Sequence, residues 1–386
     1  MTALRVGINL TQFVPGKSGG VQSYAESLVR ELLREGSFRY VLFVNHDTRS
    51  LFEGHASEAC EIAMVDFPIP RLYSAAGRLT KRIPFWAYCR GLRTFMESRR
   101  VDLMHFPMNL VIPIDYRGRS VSTFHDIQQE YHPEFFSAVE LRWRAQHYRP
   151  SARKATHVVT ISDYTKASLV EKYGLSPEKI TTVHTGVEAD FFTDADGGPR
   201  PADLPQRFFF YPAAFWPHKN HLRLLQAVAR LKERDGFRLP LLLSGMNAAD
   251  DAPARAEVER LGLTDQVRFL GYISRERLRL LFRHADFMIF PSLFEGFGIP
   301  VVEAMASGCP VACARATSLP EVVGNDGLLF DPENVEAIAE AISRLAKDEA
   351  FRKGIAEKLR PRARRFTGQA MAKATADVYR KVAAEP

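Results

Sequence analysis

Short apolar runs alternate with amphipathic stretches along this whole chain, and the alternation breaks only once. Leu4–Leu10, Tyr40–Val44, Glu61–Val65, Val101–Phe106, Ser120–Phe124, His157–Ile161 and Lys179–Val183 have the length and composition of buried strands. Between them lie helical patterns, with Val21, Tyr24, Leu28 and Leu32 on one face of Val21–Glu35 and a second helix over Ala138–Arg153. Thr193–Gln206, TDADGGPRPADLPQ, stops the pattern with two glycines, three prolines and three aspartates. It then restarts: strands at Arg207–Tyr211, Leu239–Ser244, Gln266–Leu270, Phe287–Phe290 and Pro310–Ala314, helices at Asn220–Arg234, Arg275–His284, Pro300–Ser307 and Pro332–Ala346. Strand–helix alternation demands parallel sheets covered by helices, so the expected fold is α/β with two Rossmann-like, doubly wound domains. The expected bounds are 1–192 for the first domain, 193–206 for the linker, 207–365 for the second domain and 366–386 for a final helix. Such a pair is expected to hold its active site in the cleft between the domains.

The length of 386 residues suits two cores rather than one. Four cysteines exclude a disulfide scaffold, and no run of about 18 apolar residues is available for a membrane span. The first strand pattern starts at Leu4, which leaves no room for a signal peptide, so a reducing, cytoplasmic compartment is expected. The net charge is +7, and Arg71–Arg100 alone holds eight basic residues against one acid, Glu97. The basicity is therefore a patch, which argues against bulk nucleic-acid binding.

Several motifs carry chemistry. The loop Thr11–Gly20 contains Gly16-Lys17-Ser18 but lacks the first P-loop glycine, and GxGxxG is absent too, so neither an NTPase nor an NAD enzyme is indicated. What remains is Gly19-Gly20 before a helix, either a tight turn or a place where backbone amides approach an anion or a sugar. His125-Asp126 ends a strand, where a histidine can meet a sugar hydroxyl or simply be satisfied by its neighbour. His105, at another strand end, reads as structural. Lys219, in Phe215-Trp-Pro-His-Lys-Asn220, is placed for a diphosphate beside a helix N-terminus, or is a solvated surface lysine. The most specific stretch is Ser292–Ala306, SLFEGFGIPVVEAMA. Glu295 lies in the loop after a strand, Gly296 and Gly298 allow a tight turn, Pro300 suits a first helical turn, and Glu303 falls one turn on. Carboxylates accept paired bonds from vicinal diols, and the amides of Phe297, Gly298 and Ile299 are placed for a phosphate. Cys309 and Cys313 read as buried thiols rather than a metal pair, and Phe208–Phe210 as core strand.

These residues resemble the GT4-type retaining glycosyltransferases of GT-B fold. The stretch Glu295–Gly308 carries the resemblance, with Lys219-Asn220 upstream and Ser318–Pro332, SLPEVVGNDGLLFDP, downstream. Phe124-His125-Asp126, Ile161-Ser162, Thr185-Gly-Val-Glu188 and the Gly-Gly loop extend it over nearly the whole chain. It implies that the C-terminal domain binds a nucleotide-sugar. Glu295 would contact the transferred sugar, Glu303 the ribose, and Lys219 the diphosphate with the amides of Phe297 and Gly298. His125 would sit beside the sugar, and Gly19 and Gly20 would line the donor-phosphate and acceptor side. Phe366–Val382, with Met371, Ala374, Val378 and Val382 in register, would be the helix that crosses back to the first domain. The family often has an arginine five residues before the lysine; here that position is Ala214, with His218 as the substitute cation. Tyr211-Pro-Ala-Ala-Phe-Trp-Pro-His-Lys-Asn220 is similar to a mannosyl- and rhamnosyltransferase-like branch.

The expected activity is transfer of a hexose, mannose from GDP-mannose being favoured, to a glycan or lipid-linked acceptor in bacterial surface polysaccharide synthesis. No carboxylate stands out as a nucleophile, so retention is expected by front-face attack. No metal is expected: Asp194-Ala-Asp196 lies in the linker and Asp250-Asp251 has no supporting ligands. Tyr73, Phe85, Trp86, Tyr88, Leu92 and Phe95 within the basic window suit an anionic membrane surface, and place the protein at the inner face of the membrane. The alternatives are a non-catalytic sugar-nucleotide-binding protein and a sugar-nucleotide epimerase on the same fold.

Overall fold

A computed structural model describes residues 4–15, 19–66, 85–193, 200–245 and 252–385. The chain parts into two compact units, Met1–Gly186 with Gly368–Pro386, and Val187–Thr367.

The first unit runs β1 (Arg5–Asn9), α1 (Gly19–Glu35), β2 (Arg39–Val44), α2 (Arg49–Phe52), β3 (Cys60–Met64), α3 (Phe85–Ser98), β4 (Leu103–Phe106), β5 (Ser120–Phe124), α4 (Ala138–Lys154), β6 (His157–Thr160), α5 (Asp163–Tyr173) and β7 (Ile180–Thr182). Its seven strands pair in parallel in the order β3-β2-β1-β4-β5-β6-β7. The strands are short and buried on both faces, as a sheet covered by helices on each side requires. The second unit runs β8 (Phe209–Pro212), α6 (His221–Asp235), β9 (Leu241–Ser244), α7 (Ala252–Arg260), β10 (Val267–Phe269), α8 (Arg275–His284), β11 (Phe287–Phe290), α9 (Ile299–Ala306), β12 (Val311–Ala314), α10 (Leu319–Val323), β13 (Leu328–Phe330), α11 (Val335–Lys347) and α12 (Glu349–Ala363). Its six parallel strands order as β10-β9-β8-β11-β12-β13. Phe208, Phe209 and Phe210 are core residues, as their strand pattern indicated.

The final helix, α13 (Gly368–Ala384), belongs to the first unit and packs on α1. Met371, Val378 and Val382 of its apolar stripe are buried, and Arg380 reaches Glu35 at 3.2 Å and the Ser37 hydroxyl at 2.8 Å. Tyr379 Oη lies 2.6 Å from Nδ1 of His105, whose Nε2 lies 2.8 Å from Thr123 Oγ1. His105 is thus a fully buried tie between α13, β4 and β5, and burial lowers its pKa to about 3.

By contact the two units divide at Gly186/Val187, a few residues ahead of the expected linker. Residues 187–193 go with the second unit because Phe191 is buried against Phe282, Asp190 pairs with Arg279 at 2.6 Å, and the Thr193 carbonyl accepts from Arg283 at 2.9 Å. The basic window needs revision. Residues 71–84 of it, with Arg71 and Tyr73, lie outside the described residues, as do Gly16–Ser18, Asp194–Pro199 and Asp250-Asp251. The rest forms α3, where Tyr88, Leu92 and Met96, four residues apart, face the core. Tyr88 and Leu92 are therefore not membrane-facing. Arg93 is spent on Asp115, and Arg99 pairs with Glu61 at 3.4 Å above the Phe95 ring. Trp86 remains 68% exposed. Among the described residues no helix is long and apolar enough to cross a membrane.

The buried histidines set a pH dependence. Burial lowers His105 in the first unit and His221 in the second to about 3. Each stays neutral when folded while its unfolded counterpart takes up a proton below its ordinary pKa of roughly 6.5. Their stabilisation is full above that value and is lost as the pH falls towards about 3. The unfolding free energy from urea titration is expected to fall from pH 7 to pH 4, by up to about 1.4 kcal/mol per pH unit for each histidine. His105→Gln should reduce that slope; an unchanged slope would contradict the assignment.

Candidate active site

The strand order of the second sheet reverses between β8 and β11, the point at which open α/β sheets place their ligands. The side chains singled out in the sequence collect at the carboxyl ends of these strands. After β8 the chain makes a short 3-10 turn, Pro217–Lys219, and α6 begins at His221. Asn220 between them takes a left-handed conformation, φ 62°. Its side chain does not cap α6; Nδ2 donates to the carbonyls of Pro291 at 3.0 Å and Pro332 at 2.8 Å. Leu293 N–H donates to the His218 carbonyl at 2.7 Å. Tyr211 Oη donates to the Lys219 carbonyl at 2.7 Å and lies 3.3 Å from Ser292 Oγ. Burial raises the Tyr211 phenol well above its ordinary value, so it stays a neutral donor. The two loops are laced together by these bonds.

The lacing fixes Lys219 against Glu295. Nζ donates to Oε1 at 2.6 Å, with both side chains largely buried. The glutamate's backbone is held as well: its N–H donates to Thr317 Oγ1 at 3.0 Å, and Ser318 Oγ donates to its carbonyl at 3.0 Å. Thr317 performs this at φ 48°, an uncommon conformation for a β-branched residue, of the kind that clusters at functional sites. Lys219 is thus not a solvated surface lysine, the alternative left open by its sequence position.

Gly296 is half-buried, and Phe297 turns into the core against Phe366, ring centres 5.4 Å apart, leaving only its backbone for a ligand. Gly298 has φ 98° and a Cβ on it would lie 2.6 Å from Leu319 Cδ2, so glycine is required. Ile299 opens α9, and the N–H groups of Val301 and Val302 turn back to the Gly298 carbonyl. Glu303 follows on the buried face of α9, only 2% exposed, which removes the reading of a surface charge. Its partner is Arg275 at the start of α8: Nη1 donates to Glu303 Oε1 at 2.7 Å and Nη2 to Glu188 Oε2 at 3.2 Å. Sequence patterning placed Arg275 only within an amphipathic helix, since nothing in RERLRLLFRH distinguishes it from the other arginines. The replacement of the family's arginine by Ala214 has a visible surrounding. The Ala213 carbonyl and Ala214 backbone lie against Gly245, where a Cβ would meet the carbonyl oxygen at 2.2 Å.

In the first unit, His125 is 8% exposed at the end of β5. Its backbone N–H donates to Asn109 Oδ1 at 2.8 Å, its Nε2 lies 2.9 Å from the Pro107 carbonyl, and Tyr24 meets the ring edge-on at 4.8 Å. A carbonyl only accepts, so Nε2 carries the proton and Nδ1 is left as an acceptor. Burial lowers the His125 pKa, which keeps the ring neutral. Asp126 Oδ1 instead accepts from Gln128 N–H at 3.0 Å. Gly19 and Gly20 open α1 in exposed positions, Gly19 at φ 48°. Cys309 and Cys313 are free, fully buried thiols, both pushed up by burial.

Comparison with known proteins also divides the chain into two parts. The model of "Glycosyltransferase Family 4" matches residues 18–191, and that of "Glycosyl transferases group 1" matches residues 197–365. The O-antigen chain mannosyltransferase B of Escherichia coli is 32% identical over 272 residues, 68% of this chain and 70% of that one. The chain belongs to the family 4 glycosyltransferases. The O-antigen chain mannosyltransferase RfbU of Salmonella typhimurium is 27% identical, covering 75% of this glycosyltransferase and 82% of RfbU. Anabaena Alr3699/HepE, solved in complex with UDP and glucose, superposes with a TM-score of 0.75 at 21% identity, over 98% of this chain and 100% of that one. The fold of this glycosyltransferase is accordingly GT-B.

The Lys219–Glu295 pair has a measurable signature. Lys219→Met leaves a largely buried carboxylate without its cation, whereas the double variant with Glu295→Gln leaves no charge. A double-mutant cycle by chemical denaturation should give a coupling on the order of 1–3 kcal/mol. Additive effects would show that the two side chains act independently. Gly298→Ala should destabilise by about 1–3 kcal/mol, because the added methyl meets both the positive φ and Leu319.

Proposed function

We propose that this family 4 glycosyltransferase moves a hexose, mannose from GDP-mannose being favoured, to a glycan or lipid-linked acceptor in surface polysaccharide synthesis, with retention of configuration and without a metal. The observation that carries the reading is the Lys219–Glu295 pair, held by backbone bonds at the carboxyl ends of β8 and β11, with Glu303 buried on α9. The mannosyl assignment is supported by the named activities of the E. coli and Salmonella relatives.

A donor diphosphate carries more negative charge than one carboxylate and takes over Lys219. Glu295 is then released to accept from the sugar hydroxyls, while Glu303 accepts from the ribose. As the sugar–phosphate bond breaks, negative charge grows on the leaving diphosphate, and Lys219 with the amides of Phe297 and Gly298 meets it. The departing phosphate oxygen takes the acceptor proton in front-face attack. His125, neutral and presenting Nδ1, accepts a hydrogen bond from a sugar hydroxyl; Gly19 and Gly20 line the phosphate and acceptor side. The exposed Trp86 and the basic window around it favour an anionic membrane surface, where a lipid-linked acceptor resides.

The test is calorimetric titration of GDP-, UDP- and dTDP-sugars in EDTA, beside Glu303→Ala, followed by transfer assays. One donor is expected to bind in EDTA and to weaken at least roughly tenfold in the variant, as the loss of a charge-assisted bond pair predicts. Activity lost on chelation and restored by magnesium or manganese would overturn the metal-free claim. Binding without transfer to any acceptor would favour a sugar-nucleotide-binding protein, and conversion of the donor alone an epimerase.

A further inference from the structure

Among the described residues, Arg275 is the cation paired with Glu303, and it has no role assigned so far. Its guanidinium sits 4.8 Å over the ring of Phe191, with Nη2 on Glu188 and Nη1 on Glu303. An arginine held on three sides is a rigid fork, and it spends one arm on a single oxygen of a carboxylate that has almost no contact with water. We infer that Arg275 is a positioning residue for the donor: by taking Oε1 of Glu303 it fixes the buried carboxylate and leaves Oε2 to accept from the ribose hydroxyls of the nucleotide. This rests on the reading of Glu303 as the ribose ligand given above.

The electrostatics agree with the geometry. Burial pushes the Glu303 carboxyl up, Glu188 pushes it further, and Arg275 pulls it down. Several other charges on the elements packed around α9 are engaged elsewhere. On α8, Arg277 pairs with Asp203 and Arg279 with Asp190. On α12, Arg362 donates to the carbonyls of Val322 and Glu321 in α10, and Arg360 lies by Gly308. Arg275 therefore sets both the orientation of Glu303 and the pH at which it loses its charge. It touches none of the reacting atoms, so its effect belongs in donor affinity rather than turnover.

The test is titration of GDP-mannose, UDP-glucose and dTDP-rhamnose into the full chain from pH 5.5 to 8.5, with initial rates for the donor that binds. Arg275→Met should weaken donor binding about tenfold or more near neutral pH, with kcat at saturating donor within about twofold. Its acid limb of kcat/KM should move to higher pH. Arg275→Lys, which keeps the charge and loses the fork, should return the limb towards wild type with intermediate affinity. Glu188→Gln, which removes the like charge, should move the limb the other way. Wild-type affinity and pH profile in Arg275→Met overturn the inference. So do equal losses in the Met and Lys variants at every pH, which mark a purely structural role. Movement of the limb in the same direction in Arg275→Met and Glu188→Gln overturns it too. A wild-type chain that binds none of the three donors overturns the donor reading and the inference with it.

Discussion

The second unit's site depends on one side chain that does no chemistry. Strand order reverses between the paired strands β8 and β11, so the loops leaving them run to different neighbours. Asn220 ties those loops together. Its amide nitrogen has two donors, and both are spent on carbonyls from other segments, Pro291 at the end of β11 and Pro332 after β13. To reach them it gives up the capping of α6 and adopts a left-handed backbone. The proline carbonyls are apt acceptors, because a proline has no N–H and the carbonyls past the strand ends lack ladder partners. With Asn220 in place, Lys219 and Glu295 face each other from different strands. A site built this way is preorganised, so little reorganisation is left for the moment of reaction.

A second regularity is that the buried site carboxylates of this unit have dedicated cations. Glu295 has Lys219, and Glu303 has Arg275. Burying a carboxylate without a partner costs several kcal/mol or protonates it, and either outcome would disable a hydroxyl acceptor. The two pairs differ in kind. Lysine is a point charge on a flexible stem and can change partners, as a residue must if it meets a diphosphate only when one arrives. Arginine clamped by Glu188 and the face of Phe191 cannot easily move. In the proposed reaction the flexible cation stands where charge is exchanged, and the rigid one where orientation is needed.

Much of this was legible in the sequence because it rests on local rules. The strands Ser120–Phe124 and Phe287–Phe290 and the helix Arg275–His284 fall where the apolar periodicity puts them. Glu295, Gly298, Pro300 and Glu303 could be read as a loop and first helical turn because glycine and proline have narrow backbone roles. Other elements escaped. β13 has only three residues, α7 buries only Ala254 and Val258, and α3 is an ordinary covering helix whose arginines mask the apolar face of Tyr88, Leu92 and Met96. The site residues that were missed, Arg275, Thr317 and Asn220 in its bridging role, act through partners distant in sequence. Arg275 is 28 residues from Glu303 and 87 from Glu188, and no spacing rule reaches that far. Residue type says that an arginine needs an anion; only the fold says which.

The first unit's histidines show the same dependence on environment. His105 and His125 lie at the ends of adjacent strands, and the partners the fold gives each ring are what separate them. His105 has both ring nitrogens occupied, by Tyr379 and Thr123, and so has nothing left for a ligand. His125 has one nitrogen committed to the Pro107 carbonyl. That bond also selects the tautomer, since a carbonyl cannot donate, and burial keeps the ring from taking a second proton. A neutral ring with Nε2–H committed has one function left, to accept through Nδ1. The proton economy of the reaction therefore does not run through this residue: at neutral pH it has no proton to give except the one that holds it in place. In the proposed front-face reaction its part is to orient a hydroxyl, and the acceptor's proton goes to the departing phosphate.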